Sequence, residues 1–264
     1  MRLAILMTCH NRAATTLECL KRLMPQLGSA DKVFLVNDGS TDGTGAKVRA
    51  SYPTVCVIDG DGALYWAKGM RVAWRAALKE RSDWDAYLWL NDDTMLSSDA
   101  MEKMLANDDG RSLVIGNLCD TTGRAVYGLN VNGWVNGNCV LVPRAIYESI
   151  GEICGEYSHA WADSDYACQV NHAGFAIVDA GVVGITEWHP LRSSLAGKSL
   201  AERWRLLFDP KGWNLHDLWL YRHRNWSVSH AVASVVHMAF HVLFSRAEDA
   251  GCSTRQASLI VTNH

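Results

Sequence analysis

The segment KVFLVNDGSTDGT, residues 32–44, contains the two features that decide the fold. Lys32–Asn37 is a predicted strand, because Val33 to Val36 form a continuous apolar run that is typical of a strand buried on both faces of a parallel sheet. The polar and Gly residues that follow favour a turn at the end of that strand. The same order of apolar run and polar loop recurs in the first half of the chain, at the predicted strands Leu3–Thr8, Thr54–Ile58 and Ala86–Asn91.

Helical spacing of apolar residues separates these strands, over Ala14–Met24 and Ala67–Arg81. Asp99 with Glu102 predicts a capping box for a further helix that ends near Asn107. Alternating strands and helices predict an α/β fold with a mainly parallel central sheet and helices on both faces. The second half is predicted to add a strand at Ser112–Asn117, short strands within 126–142, a helix at Ala162–Ala173, and strands at Phe175–Asp179 and Val182–Glu187.

Polar residues gather at the carboxyl ends of the first four predicted strands, and open parallel sheets bind ligands at that edge. The four loops are residues 8–12, 37–44, 59–62 and 91–94. Each loop alone is also an ordinary turn sequence, because Asn, Asp, Gly and Ser favour turns in any fold. Their coincidence at one edge of the sheet indicates a ligand crevice.

Asp92 and Asp93 follow the buried strand at Ala86–Asn91 and place two carboxylates beside this crevice. Mg²⁺ and Mn²⁺ prefer hard oxygen ligands and often complete their coordination with substrate phosphates. The pair therefore indicates a divalent-metal site. The alternative is that the two charges stabilise the N-terminus of a following helix.

Several motifs, taken in their order along the chain, resemble glycosyltransferase family 2, and in particular its bacterial polysaccharide and rhamnosyltransferase-like members. They are TCHNR at 8–12, VNDGSTDGT at 36–44, GALYWAKGM at 62–70, LWLNDDT at 88–94, NGNCVLVPR at 136–144 and WADSDY at 161–166. The resemblance covers about residues 2–190, and a weaker match at 221–225, YRHRN, extends it. It implies a GT-A fold that binds a nucleotide-diphospho-sugar.

Carried over by position, the resemblance implies that Thr8, Asn11 and Arg12 line the nucleotide site. It further implies that Asp38 binds the base or the ribose. Asp61 and Lys68 fall near the donor by position, although the family usually has a small residue where Lys68 stands.

The family's DxD-type metal motif falls on residues 91–93, where Asn91 replaces a frequent first Asp. The resemblance therefore implies Asp93 as the ligand of Mn²⁺ or Mg²⁺, Asp92 as a contact of the sugar or ribose, and Asn91 as a residue of the donor site. His189 follows a predicted strand and could complete the metal or diphosphate site, although a single His is more often structural.

Asp163 and Asp165 stand near the start of a predicted helix, where the family carries an acidic pair and where Ala162 replaces a common Glu. An inverting transfer needs a carboxylate that accepts the proton of the attacking hydroxyl. Asp163 is the first candidate for this base and Asp165 the second. The alternative for both is a charge that stabilises the N-terminus of the helix.

Composition excludes other classes of protein. The chain has 264 residues and a net charge of −3, from 25 Lys and Arg against 28 Asp and Glu, so it lacks the basic surplus of a nucleic-acid binder. Its eight Cys form no CxxC pair, which argues against a zinc knuckle or a redox motif. The N-terminal apolar run is too short for a signal peptide, so a cytoplasmic location is expected.

The composition changes near residue 199, so we expect a catalytic domain over 1–198 and a helical extension over 199–264. Ala231–Ser245 predicts a helix with a wide apolar face that is too short to span a bilayer. The helix could lie on the inner face of the cell membrane, pack on the catalytic domain or form a homodimer. Zinc binding by His237 and His241 is disfavoured, because no HExxH motif is present. A basic, aromatic surface is expected from Arg203, Arg205, Arg222 and Arg224 with nearby Trp.

The sequence thus predicts an inverting, metal-dependent glycosyltransferase. Its donor would be a UDP- or dTDP-linked sugar, and its acceptor a glycan or lipid-linked molecule in surface polysaccharide synthesis. One alternative is a nucleotidyltransferase, which would normally carry a Gly-rich, basic phosphate loop near its start. Another is an inactive module that binds sugar nucleotides. A NAD dehydrogenase is disfavoured because no GxGxxG follows the first strand.

Overall fold

The computed structural model describes residues 1–127, 135–186 and 195–245, and these contain nine strands and nine α-helices. The strands are β1 Leu3–Cys9, β2 Lys32–Asp38, β3 Cys56–Gly60, β4 Ala86–Leu90, β5 Thr94–Leu96, β6 Leu113–Cys119, β7 Ala125–Tyr127, β8 Cys139–Pro143 and β9 Ile177–Thr186. The helices are α1 Ala13–Leu23, α2 Thr44–Ser51, α3 Tyr65–Glu80, α4 Ala100–Ala106, α5 Arg144–Ile150, α6 Ala162–His172, α7 Leu200–Leu206, α8 Leu215–Asn225 and α9 Val228–Phe244.

All strands join one sheet in the order β3-β2-β1-β4-β8-β6-β9-β5, with β7 paired to β6. The first four strands of this order are parallel, so their carboxyl ends lie at one edge. The predicted α/β sheet is confirmed. β8 runs antiparallel to both β4 and β6, and for that reason its N-terminal end reaches the same edge.

Helices cover both faces of the sheet, as predicted, because successive side chains of a buried strand point to opposite faces. On β1, Ala4 and Leu6 pack into one apolar cluster, which α3 and α6 cover. Leu3, Ile5 and Met7 pack into the other cluster, which α1 and α4 cover.

Some local predictions are wrong. The two strands predicted over residues 175–187 are one continuous strand, β9, and the short elements α2, β5, α5 and α7 were not predicted. The predicted capping box at Asp99 does not form, since its carboxylate accepts from the Ser97 hydroxyl instead. The first turn of α4 is capped by the distant Gln26, whose Oε1 accepts from the Met101 N–H at 3.1 Å.

Helices α7, α8 and α9 pack around a third, smaller apolar cluster that includes Leu207, Leu218 and Met238. α9 confirms the predicted C-terminal helix, and among the described residues no helix is long and apolar enough to cross a membrane.

The predicted basic surface forms only in part, because two of its four arginines are withdrawn from solvent or bound to backbone oxygens. Arg203 donates to the carbonyl oxygens of Leu195, Val242 and Ser245, while Arg222 is buried. Arg224 pairs with Asp165 but stays exposed, as does Arg205 on α7.

Candidate active site

The loops after β1 and β2 are held together by Asn11. Its Oδ1 accepts from the Thr41 N–H at 2.7 Å and the Asp42 N–H at 3.3 Å, and its own N–H donates to the Ser40 hydroxyl at 2.9 Å. Asn11 has a φ of +51°, a left-handed conformation that Asn tolerates better than most residues. The residue therefore fixes the shape of this side of the crevice.

Asp38 organises the loop between β3 and α3. Its buried carboxylate accepts from three backbone N–H groups: those of Gly62 at 2.8 Å, Leu64 at 3.1 Å and Tyr65 at 3.0 Å. The loop also approaches β2 closely, since a Cβ on Gly39 would lie 2.6 Å from the Cα of Gly62. Contact between Asp38 and a base or ribose stays a prediction, because backbone groups occupy both of its oxygens here.

The other donor-site candidates on this side differ in exposure. Thr8 lies directly under α3, where a Cβ on Gly69 would come within 2.5 Å of the Thr8 hydroxyl. Lys68 is exposed on the same helix. Asp61 is exposed and accepts from the Ala63 N–H at 2.9 Å.

Arg12 joins the loop after β1 to the two carboxylates after β4. Its guanidinium lies 2.6 Å from Asp93 Oδ2 and 3.3 Å from Asp92 Oδ1. Asp92 also accepts from the Thr16 hydroxyl at 3.2 Å. Burial raises the pKa of Asp92 to about 6; the Asp93 charge adds to this effect, whereas Arg12 opposes it.

The residues at this end of β4 fit a divalent cation in chemical type. Asp92 and Asp93 supply hard oxygen donors, and Asp93 is the more exposed of the two. The described residues contain no group of three or more His, Cys, Asp or Glu that could hold a metal by themselves. Such a pair suits a cation whose remaining ligands come from a diphosphate and water. His189 lies outside the described residues.

Asn91 connects this pair to the opposite wall of the crevice. Its Oδ1 accepts from the indole Nε1 of Trp66 at 2.7 Å, and its Nδ2 donates to Asn138 Oδ1. The Asn91 N–H also donates to the carbonyl oxygen of Asn138 at 2.9 Å. The side chain of Asn91 is thus used to join β4 to the segment that enters β8.

Asp163 lies on that opposite wall. One carboxylate oxygen accepts from the Gly137 N–H at 2.9 Å and the other from the Ser164 N–H at 2.8 Å. Gly137 lies close to two side chains. A Cβ added at this position would be 2.5 Å from the Trp66 ring and 3.3 Å from Asp163 Cβ. Removal from water raises the pKa of Asp163, which makes it a stronger base than an ordinary carboxylate.

Asp165 points to a different part of the molecule. Its carboxylate is only 2% exposed and binds Arg224 and Asn225 at the end of α8. The structure therefore links Asp163, through Gly137 and Trp66, to Asn91 beside the carboxylate pair, and it directs Asp165 toward α8.

Sequence reasoning missed several residues that build the crevice. Thr16, Trp66, Gly137 and Asn138 contact the candidate residues, and the last three lie within the family motifs at 62–70 and 136–144. Only the pairing across the sheet shows which of these polar groups meet.

Comparison with known proteins matches the first part of the chain to a described family. Residues 4–124 match the family described as Glycosyl transferase family 2. This confirms the resemblance that the motifs indicate: the chain is a glycosyltransferase whose residues 4–124 match family 2, and its donor is a nucleotide sugar. No curated protein sequence matches the chain.

Solved structures support the GT-A fold. A mannosyltransferase from Pyrobaculum calidifontis, solved with GDP-Man and Mn²⁺, is 17% identical with a TM-score of 0.56, over 99% of this chain and 81% of that one. TarS 1–349 from S. aureus is 12% identical with a TM-score of 0.61, over 96% and 74%. Glucosyl-3-phosphoglycerate synthase from Mycobacterium tuberculosis, solved with Mn²⁺ and UDP, is 15% identical with a TM-score of 0.53, over 72% and 73%.

The buried Asp92 should make stability depend on pH. The pKa of Asp92 in the folded chain lies above the ordinary value of a carboxyl group, so its ionisation lowers the free energy of unfolding. This destabilisation is absent below about pH 4 and complete above about pH 6. Asp92→Asn removes this penalty. Between pH 4 and pH 7.5, the unfolding free energy of the variant minus that of wild type should rise by roughly 2–3 kcal/mol. Urea denaturation in EDTA measures the difference, and a flat or falling difference would contradict the assignment.

Proposed function

We propose that this family 2 glycosyltransferase moves a sugar from a UDP- or dTDP-linked donor to a hydroxyl group of a glycan or lipid-linked acceptor, with inversion, in the synthesis of a bacterial surface polysaccharide. The observation that carries the proposal is the position of Asp163. Gly137 and Trp66 connect it to Asn91, which directly precedes Asp92 and Asp93. These contacts support the assignment of Asp163 as a base beside a diphosphate-binding pair.

In the proposed reaction, Asp163 accepts the proton of the acceptor hydroxyl while that oxygen attacks the anomeric carbon. The bond from this carbon to the diphosphate oxygen breaks, and the nucleoside diphosphate leaves with the electron pair. One displacement inverts the anomeric centre. The N–H groups of Gly137 and Ser164 hold the carboxylate in a fixed direction, and its raised pKa suits it to this role.

Asp93 is the proposed ligand of Mn²⁺ or Mg²⁺, with His189 as a further candidate outside the described residues. When bound, the metal would stabilise negative charge on the departing diphosphate. Asp92, more deeply buried, would bind the sugar or ribose. Arg12, held between the two carboxylates, supplies a fixed positive charge at the same edge. The Mn²⁺-bound mannosyltransferase and glucosyl-3-phosphoglycerate synthase support metal use by this fold.

The outer face of α9 supports association with the inner face of the cell membrane. Val228, Val232, Val236, Phe240 and Phe244 lie four residues apart and are each about half exposed or more. No charged Asp, Glu, Lys or Arg occurs in the helix. A contiguous apolar surface of this kind requires a cover.

The edge of this surface favours lipid as the cover. α7 continues it through a shallow groove lined by Trp204, Arg205 and Phe244, with the exposed Phe208 nearby. Aromatic rings and an arginine beside an apolar stripe suit the membrane–water interface. A homodimer is the competing outcome.

The base assignment is tested by Asp163→Asn, which keeps the shape of the side chain and removes the proton acceptor. Release of nucleoside diphosphate should be measured with UDP-glucose, dTDP-glucose and GDP-mannose as a donor panel. Turnover should fall by roughly 100-fold or more, whereas the thermal shift caused by UDP with Mn²⁺ stays at the wild-type value. Turnover that survives in Asp163→Asn and is lost in Asp165→Asn would assign the base to the other carboxylate.

Metal dependence is tested by EDTA and by Asp93→Ala. Each should abolish turnover, because the departing diphosphate loses its counter-charge. In the variant, added Mn²⁺ should no longer enhance the thermal shift caused by UDP. Asp108→Ala is the matched control, since Asp108 precedes β6 at the opposite end of the sheet. Full turnover in EDTA, or in Asp93→Ala, would rule out the proposed metal site.

Membrane association is tested by flotation with vesicles that contain anionic lipid. Wild type should float, and Phe240→Asp/Phe244→Asp should not, because two charges would enter the apolar layer. Ala46→Asp/Ala50→Asp adds the same charge to the exposed face of α2 and should float like wild type. Absence of wild-type flotation, together with a dimer by light scattering that the α9 variant disrupts, would assign this surface to a second copy.

A further inference from the structure

Helix α8 contacts the segment that carries Asp163 at three places, beginning at its own N-terminal end. The carboxylate of Asp217 is fully buried and accepts from the Ser158 N–H at 3.0 Å, the Ser158 hydroxyl at 2.7 Å and the His159 N–H at 3.2 Å. The loop that leads into α6 is therefore attached to the first turn of α8.

The middle of α8 holds the residue at which α6 begins. Trp161 stacks on Tyr221, with ring centroids 4.9 Å apart and planes 23° apart. Trp161 has a φ of +70°, a left-handed conformation that is strained for a bulky side chain. Strain of this kind persists only where the surroundings impose it, and here the stacked ring supplies part of that restraint.

The C-terminal end of α8 is hydrogen-bonded to α6 itself. Arg224 Nε lies 3.2 Å from both carboxylate oxygens of Asp165. Asn225 Nδ2 donates to Asp165 Oδ1 at 2.7 Å, and Asn225 Oδ1 accepts from Gln169 Nε2 at 3.1 Å. The amide of Asn225 thus binds two residues of α6 that lie one turn apart.

These contacts set where Asp163 can lie. Asp163 stands between Trp161 and Asp165 in the first turn of α6, so both of its near neighbours in sequence are fixed by α8. Catalytic groups act well only within about half an ångström of the productive position. Apolar contacts would be enough for an extension that only packed against the domain. Helix α8 instead binds the turn that carries the proposed base through a charged group and an amide group.

We infer that Arg224 and Asn225 are positioning residues for the transfer reaction: by binding Asp165, they hold the first turn of α6 and with it the carboxylate of Asp163. This inference rests on the proposed function, in which Asp163 is the base. Asp165 then serves to anchor that turn. The end of α8 helps to place the proposed base, which takes the proton from the acceptor hydroxyl.

The test compares Arg224→Gln with Arg203→Gln. Both variants remove one arginine from the helical extension, but Arg203 donates to the carbonyl oxygens of Leu195, Lys198, Val242 and Ser245, none of which belongs to α6. With the best donor of the UDP-glucose, dTDP-glucose and GDP-mannose panel, kcat should fall by roughly tenfold or more in Arg224→Gln, because a misplaced catalytic group loses rate steeply. The donor KM should stay within about twofold, and Arg203→Gln should keep the wild-type kcat. Arg224→Lys should recover part of the loss.

Amide hydrogen exchange gives a readout that needs no substrate. Residues 163–169 should exchange at least about tenfold faster in Arg224→Gln and at the wild-type rate in Arg203→Gln, since loss of the anchor frees that turn. Equal exchange in the two variants, or a kcat for Arg224→Gln equal to that of Arg203→Gln, would overturn the inference.

The two proposals fail in different ways. If Asp163→Asn retains turnover, the proposed base is wrong whatever Arg224 does. If Asp163→Asn is inactive while Arg224→Gln keeps both its kcat and its slow exchange, the base stands and the positioning role does not.

Discussion

The structure depends on one constraint: a carboxylate removed from water must receive hydrogen-bond donors from the protein. Asp38, Asp92, Asp165 and Asp217 are almost completely buried, and each obtains its donors from a separate loop or helix. Each of these groups therefore fixes a junction between elements that apolar packing alone would leave free to slide. The crevice and the support behind it are built from these junctions.

The four carboxylates are satisfied to different degrees. Asp38 and Asp217 accept several backbone N–H groups, which cannot move away without unfolding a loop. Asp165 has an arginine and an amide. Asp92 has Arg12 and one hydroxyl, and burial still raises its pKa to about 6. Asp92 thus accepts the fewest hydrogen bonds of the four, and it lies beside the proposed diphosphate site. An incoming cation or sugar would supply the missing interaction there.

The sequence predicts the parallel strands, their polar loops and the carboxylate pair after β4, because these features follow from residues close together in the chain. It does not predict contacts between distant residues. The capping of α4 by Gln26 joins residues 75 positions apart, and Asp165 meets Asn225 across 60 positions. Helix α2 is short and lacks a strong apolar face, so its pattern is weak. The two candidate carboxylates of α6 also look alike in sequence. Their roles differ because they have different partners, which are distant in the chain.

The anchoring of α6 by the last turn of α8 also orders events during synthesis. The chain leaves the ribosome from its N-terminal end, at about 5–20 residues per second. The strands that carry Asp92 and Asp93 can pair early, but the Asp165 carboxylate has neither of its partners until residues 224 and 225 have emerged. A nascent chain can thus form its donor crevice while the turn bearing Asp163 is still unsupported. The growing polypeptide would acquire the ability to bind a nucleotide before it acquires the ability to act on one.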